Sequence, residues 1–403
     1  MPSIEGLAIR KIIDSRGNPT VEVDVQAGGS KGRAAAPSGA STGTHEAVAF
    51  PASGIDDAIR TFRKEVVPAI RGREVTDQAG VDRRLRELDG TPNFARIGGN
   101  VALATSLAVV RTAAHLARQP LYRYLGGAAR TRLPFPFGNV IGGGRHAVGG
   151  TTIQEYMVVA QGPSVQANVL ANARAHRLVL EALAAKLPGE PIGRGDEGAW
   201  IAKLDDEAAL RVLAEACRDV AHEAGFPVRP ALDLAASEFW QGGKYGYRDR
   251  SLTPSQQIEY LERLVREYDL FSLEDPLEQE DFAGFASLTE AVGDRCHVIG
   301  DDLFATNVGR LQRGIDARSA NAILIKPNQI GTLSETRAAV DLANKAGYAT
   351  VVSHRSGETT DDTIAHLAVA FGSLGIKAGA VGGERTAKLN ELIRIEEELR
   401  GGA

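Results

Sequence analysis

The chain has 403 residues, 43% apolar and 24% charged, with a formal net charge of −5. It is globular in composition and too long for one ordinary core, and its acidic balance without a dense Lys/Arg tract excludes broad nucleic-acid binding. Its two cysteines, Cys217 and Cys296, form no CxxC pair, no apolar run approaches a membrane span, and residues 1–19 lack the apolar stretch of a secretion signal. A disulfide framework and a membrane partner are thereby excluded, and a reducing cytoplasm is the expected compartment.

Residues 4–13 and 20–27 alternate apolar and polar positions on either side of Asp14-Ser15-Arg16-Gly17-Asn18-Pro19, the pattern of a β-hairpin with a longer turn. A small-residue loop, Pro37-Ser38-Gly39-Ala40-Ser41-Thr42-Gly43, follows. Helical periodicity covers about 55–70, 76–88 and 98–118, with Thr76 as N-cap of the second helix. The third is apolar almost all round and is expected to be buried. Leu125-Gly126-Gly127 marks a boundary, so residues 1–127 are expected to form an α+β domain and residues 128–403 a second one. The second begins with extended segments at 133–141 and 153–159 and helices at 164–185 and 204–224. Strand–helix alternation then runs from about 230 to 374, before a last helix near 384–399. This is α/β order, a (β/α) barrel that starts irregularly and becomes regular from its third strand.

Six apolar runs of that second domain end in a side chain capable of chemistry: Asp233, Glu274, Asp301, Lys326, His354 and Lys377. Successive gaps of 41, 27, 25, 28 and 23 residues approximate one strand, one helix and two loops. Strand ends of such a barrel share one face, where active sites are built. A lone Asp at a strand–helix junction is an ordinary helix cap. Three acids closing successive apolar strands instead suit a hard divalent cation, Mg²⁺ rather than zinc. Lys326, beside a metal and a second lysine, is expected to have a lowered pKa, as a general base requires. Glu197 sits in an acidic turn between Gly195 and Gly198, and Glu155 lies in an apolar extended segment where an unpaired acid would be costly. His146 follows a glycine-rich stretch that fits neither a dinucleotide fingerprint nor a P-loop. Arg355 and Ser356 suit a phosphate or carboxylate clamp. A Ser–His nucleophilic pair is the competing use of this last segment, but no G-x-S-x-G elbow occurs.

With these motifs assembled, the chain resembles the enolases over nearly its whole length, through DSRGNPTVEV, PSGASTG, IQEYM, GDEG, LDLAASEF, SLEDP, GDDLFATN, LIKPNQIGTLSET, SHRSGET and LNELIRIEEEL. The resemblance implies an enolase-type (β/α)8 barrel with an irregular first half, preceded by an α+β N-terminal capping domain. It also implies Mg²⁺-dependent conversion of 2-phosphoglycerate to phosphoenolpyruvate and water, with two Mg²⁺ per active site. Asp233, Glu274 and Asp301 would hold one Mg²⁺, and Ser41 would ligate the second. Lys326 would take the C2 proton, while Glu197, helped by Glu155, would protonate the departing C3 hydroxyl. Lys377 would hold the substrate carboxylate, Arg355 and Ser356 the phosphate, with His354, His146 and Gln154 lining the pocket. The partner would be a small phosphorylated three-carbon acid, and the assembly a homodimer or larger homo-oligomer.

The chain departs from the family pattern at Gly142 and Gly149, at Ala199–Lys203 after GDEG, and at Ala380–Gly383 after Lys377. These changes motivate an alternative, an enolase-like enzyme of specialised metabolism such as a carboxyphosphonoenolpyruvate synthase acting on a phosphonate.

Overall fold

In the computed structural model, residues 2–39, 43–127, 132–147 and 149–401 are described. Ser41, assigned above to a metal, lies outside them. The chain opens with an antiparallel meander, β1 (Ile4–Ile13), β2 (Pro19–Ala27) and β3 (Ser30–Ala35). Sequence alternation anticipates the first two strands but not β3, whose Ser-Lys-Gly-Arg start carries no large apolar residue. Its place is set by a helix instead: a Cβ on Gly32 would lie 2.4 Å from the Ala108 carbonyl oxygen, so only glycine lets the strand approach that closely. Helices α1 (Ile55–Thr61) and α2 (Val67–Ile70) are joined by a π turn at Phe62–Val66, and α3 (Gln78–Asp89), α4 (Gly99–Leu116) and α5 (Leu121–Gly126) follow. As its composition requires, α4 is buried along nearly its full length. Thr76 does not cap α3. Asp77 does, accepting from the Gly80 amide, because α3 begins at Gln78 and a carboxylate one residue before its first turn meets the free N–H groups.

The second unit runs β4 (Phe135–Gly142), β5 (Glu155–Ala160), α6 (Val165–Lys186), β6 (Gly193–Arg194), β7 (Trp200–Ile201), α7 (Asp206–Ala224) and β8 (Val228–Asp233). It continues through β9 (Trp240–Gln241), β10 (Lys244–Gly246), β11 (Ser251–Leu252), α8 (Pro254–Tyr268), β12 (Ser272–Glu274), α9 (Phe282–Val292) and β13 (His297–Gly300). Next come α10 (Val308–Ala317), β14 (Ala322–Ile325), α11 (Pro327–Ile330), α12 (Leu333–Lys345), β15 (Ala349–Ser353), α13 (Thr363–Ala370), β16 (Gly375–Lys377) and α14 (Gly383–Leu399). Among the described residues, eight strands close a ring in the order β4-β5-β8-β12-β13-β14-β15-β16, with β16 pairing back to β4. The barrel and its irregular start are as expected: β5 runs antiparallel to both β4 and β8, and the later neighbours are parallel. The small β9-β10-β11 sheet accounts for the long gap between Asp233 and Glu274.

Strand parity then delivers the chemistry. Phe137, Met157, Val159, Ala231, Phe271, Ile299, Ala322, Leu324 and Val351 form one buried cluster of strand side chains. Strand side chains repeat with period two. The next positions of equal parity beyond Ala231, Ile299 and Leu324 are Asp233, Asp301 and Lys326. On antiparallel β5 the direction reverses, so Glu155 precedes Met157. The first unit packs across this end. Ser38 and Gly357 exchange backbone hydrogen bonds of 2.8 and 2.9 Å, Asn100 bonds Ser38, Arg86 pairs with Glu335, and Asp82 accepts from Ser334.

Candidate active site

A small polar cleft at the carboxyl ends of the strands is lined by His146, Gln154, Glu155, Glu197, Asp233, Asp301, Lys326, His354, Arg355, Ser356 and Lys377. Every described residue singled out in the sequence is therefore in one place, with Glu274 joined to it through Lys377. The Lys377 ammonium lies 2.9 Å from Asp233 Oδ2, 2.8 Å from Glu274 Oε2 and 3.2 Å from Glu155 Oε2. Lys326 contacts Asp301 directly. The second oxygen of Asp301 accepts from Gln329 Nε2 at 2.8 Å, and Gln329 Oε1 accepts from Thr306, whose hydroxyl also receives the Lys326 amide.

Apart from any metal, the acids of the site work against a lowered lysine pKa. Burial does oppose the charge of both lysines, but Asp301 holds Lys326 above its ordinary value. Asp233, Glu155 and Glu274 hold Lys377 well above its own. The carboxylates respond in kind. Burial, then the charge of Asp233, pushes Glu274 well above the usual range despite Lys377. Glu274 Oε1 is buried without a hydrogen-bond partner among the described residues. A crowded set of oxygen donors with an orphaned carboxylate oxygen fits a hard divalent cation.

One tight acidic group at this end is Asp275, Asp301 and Asp302, whose ligand atoms lie within 4.8 Å of one another. Asp233 and Glu274 converge on Lys377 rather than joining it. In that group Asp275 is already committed, its two oxygens accepting from the Asp301 and Asp302 amides at 2.9 and 2.7 Å. These bonds hold Asp275 at φ 40°, a region costly for a non-glycine residue. It shapes the turn after β13 and leaves the Asp301 side chain directed at Lys326. Asp302, raised to about 7 by burial and by Asp301, faces the same cleft.

A second cluster occupies the Glu197 side. Asn139 donates to Glu197 Oε2 at 3.1 Å, His354 Nε2 faces the same oxygen at 3.4 Å, and His146 Nδ1 lies 3.7 Å from Oε1 and 3.4 Å from Glu155 Oε1. Burial works against the Glu197 charge, yet His354 and His146 bring it well below the usual carboxylate range. Glu155 moves the opposite way, raised by burial and by Glu197. Two adjacent acids driven apart in this fashion can divide the duties of proton donor and charged neighbour.

The segments that depart from the family pattern pack behind Glu197. Gly198 stands at φ 78°, and a Cβ there would come 2.5 Å from the Val381 carbonyl oxygen. The Gly198 carbonyl bonds His176 Nε2 at 2.8 Å, and Trp200 lies over that imidazole at 4.6 Å while donating Nε1–H to the His176 carbonyl. The substituted Trp200 thus clamps the turn to α6.

Arg355 is not free for a substrate anion alone. Its guanidinium meets Glu46 at 2.8 and 3.1 Å and Asn328 at 3.0 Å. Glu46, Asn139, Asp275, Gln329 and Arg385 are site residues that motif reasoning overlooked. Arg385 alone leaves a trace in the sequence: it is a cation in the first turn of α14, where the helix dipole disfavours one.

The comparisons with known proteins agree with this geometry. Residues 4–125 match the family model for the enolase N-terminal domain, and residues 130–403 match that for the enolase C-terminal TIM barrel domain. A protein of Halobacterium salinarum named Enolase is 54% identical over 99% of this chain and 100% of its own length. Proteins of the same name from Archaeoglobus fulgidus and Methanothermobacter thermautotrophicus are 51% and 50% identical, each over 98% of this chain and 97% of their own lengths. On both domains and along nearly its full length, the chain belongs to the enolase family.

Proposed function

We propose that this chain is a phosphopyruvate hydratase, a hydro-lyase interconverting 2-phosphoglycerate with phosphoenolpyruvate and water. The observation that carries the reading is the shared cleft, in which two separate proton-handling centres, Lys326 and the Glu197–Glu155 pair, face one small polar space. Lys326 takes the proton from C2 as an amine. The electron pair left on C2 spreads onto the substrate carboxylate and then forms the C2–C3 double bond as the hydroxyl leaves C3. Glu197, charged in the free cleft, takes a proton from its raised neighbour Glu155 and passes it to the leaving group to make water, with Asn139 fixing its orientation. Lys377 counters charge on the substrate carboxylate, while Arg355 and Ser356 hold the phosphate.

Asp233, Glu274 and Asp301 would hold one Mg²⁺, and Ser41 would be a ligand of a second. When bound, such cations stabilise the charge developing on the substrate carboxylate and compete with Lys326 and Lys377 for their acidic partners. The substrate reading of a small phosphorylated three-carbon acid is supported by Lys326, Arg355 and Lys377, three cations lining one small cleft. The relatives named Enolase weigh for the hydratase over the phosphonate-acting alternative. The chain is proposed to work in the cytoplasm as a homo-oligomer, which sedimentation would test. Its two thiols are buried and unpaired, and no helix of the described residues is long and apolar enough to cross a membrane.

The deciding assay follows enolpyruvate absorbance from 2-phosphoglycerate, with Mg²⁺ and after its chelation. Turnover that requires Mg²⁺ is expected, and folded protein without turnover would reject the hydratase. Faster turnover of a phosphonate donor together with 2-phosphoglycerate would favour the alternative.

A further inference from the structure

We propose that Arg385 is a positioning residue that fixes His354 as the neutral imidazole carrying its hydrogen on Nε2, aimed at Glu197. Arg385 is fully buried; its two terminal nitrogens bond the segment that contains His354 and the Asp196 carbonyl, while Nε lies 3.2 Å from Glu384 Oε1. One terminal nitrogen bonds His354 Nδ1 at 2.8 Å and the Arg355 carbonyl at 2.6 Å. The other bonds the Ser356 carbonyl at 2.7 Å and the Asp196 carbonyl, next to Glu197, at 3.2 Å. A guanidinium has only donors and keeps its protons at any pH a protein survives. His354 Nδ1 must therefore accept. The single hydrogen of the neutral ring then belongs to Nε2, which stands 3.4 Å from Glu197 Oε2.

The remaining surroundings agree. His354 is faced by Glu197 from the 195–198 turn, by Arg385 from α14 and by Lys377 from β16, whose carbonyl accepts the His354 amide at 2.9 Å. Two of these three charges are cationic, and burial adds to them in disfavouring an imidazolium. A ring that cannot accept a proton on either nitrogen cannot relay one. His354 therefore presents a fixed N–H toward Glu197, 3.4 Å away and not hydrogen-bonded to it in the free cleft, and Glu197 remains the group that delivers the proton. The cost of placing a buried cation in the first turn of α14 is offset by this constellation of acceptors.

This inference rests on the hydratase reading only for its effect on rate, and its primary test needs no turnover. Long-range ¹H–¹⁵N spectra of ring-labelled wild-type protein identify the His354 signals by their loss in His354→Gln. The expected pattern is an unprotonated Nδ1 and a protonated Nε2, unchanged across the range where ordinary histidines titrate, about pH 5 to 8. A proton on Nδ1, or an imidazolium in that range, overturns the proposal whether or not an Arg385 variant folds. In Arg385→Ala the ring should show both tautomers, and dehydration should slow by roughly tenfold to a hundredfold while exchange of the C2 proton persists. Methylguanidinium should restore the single tautomer and the rate together. An unchanged tautomer in Arg385→Ala would also overturn it. Correct tautomer in a protein that does not turn over 2-phosphoglycerate would instead sink the hydratase reading alone.

Discussion

Replacing Lys388 by methionine tests how the substrate-facing segment 354–359 is held. The Lys388 ammonium is buried 2.9 Å from Glu358 Oε2 and donates to the Thr359 carbonyl at 2.6 Å. Glu358 in turn accepts the amides of Arg355 at 3.2 Å and Thr359 at 3.0 Å, so its carboxylate is what aligns the backbone of the clamp. Methionine keeps the apolar stem but leaves that carboxylate buried without its cation, a change that costs about 3–5 kcal/mol. Two amide donors remain on Glu358, which places the loss near the lower end, about 3 kcal/mol. Urea unfolding of Lys388→Met, Glu358→Gln and the double variant measures it. The double variant should lose less than the two single losses combined, because it removes both charges at once. The KM for 2-phosphoglycerate should rise in both single variants. Losses below about 1 kcal/mol in each would refute the assignment of a buried, segment-fixing ion pair.

Three further outcomes are expected. Arg355→Lys cannot reproduce the fork that meets Glu46 and Asn328 together, so KM should rise by roughly tenfold to a hundredfold with a smaller change in kcat, read from steady-state kinetics. Burial lowers His354 from its ordinary value to about 4. The unfolded chain therefore binds a proton here that the folded one refuses, and folding free energy should drop by roughly 3 kcal/mol as pH falls from about 6.5 to 4. His354→Gln should lack that share of the slope in denaturant titrations at several pH values. Trp200→Ala, which removes the clamp on the Glu197 turn, should slow dehydration by about tenfold while sparing exchange of the C2 proton, and equal loss of both would deny the clamp that role.

The barrel was legible because parallel strands buried on both faces read as short apolar runs, and the chemical residue falls where each run stops. Asp233, Asp301 and Lys326 follow from that rule directly. Period-two parity explains why all three turn inward, and why Glu155 begins its strand while the others end theirs or follow its last residue. Other features are fixed by partners remote in sequence. The strand β3 exists because Gly32 lets it approach α4, which no local pattern announces. Glu46 lies 309 residues from Arg355, and Arg385 lies 31 from His354, so each pair is visible only after folding. The pull of the acids on the two lysines was hidden in the sequence for the same reason. Carboxylates read as metal ligands were not also counted as partners of Lys326 and Lys377, and they dominate the local field. The departures from the family pattern looked like separate substitutions in the sequence, whereas Trp200 and Val381 pack with Gly198 into one support behind Glu197.

Exchange of the C2 proton of 2-phosphoglycerate with deuterated solvent, followed by NMR in the presence of Mg²⁺, probes the division of labour most directly. Lys326→Ala should abolish both exchange and dehydration, whereas Glu197→Gln should retain exchange while losing dehydration by about a hundredfold or more. Exchange surviving in Lys326→Ala, or equal loss of both reactions in Glu197→Gln, would contradict the roles assigned to the two sides of the cleft.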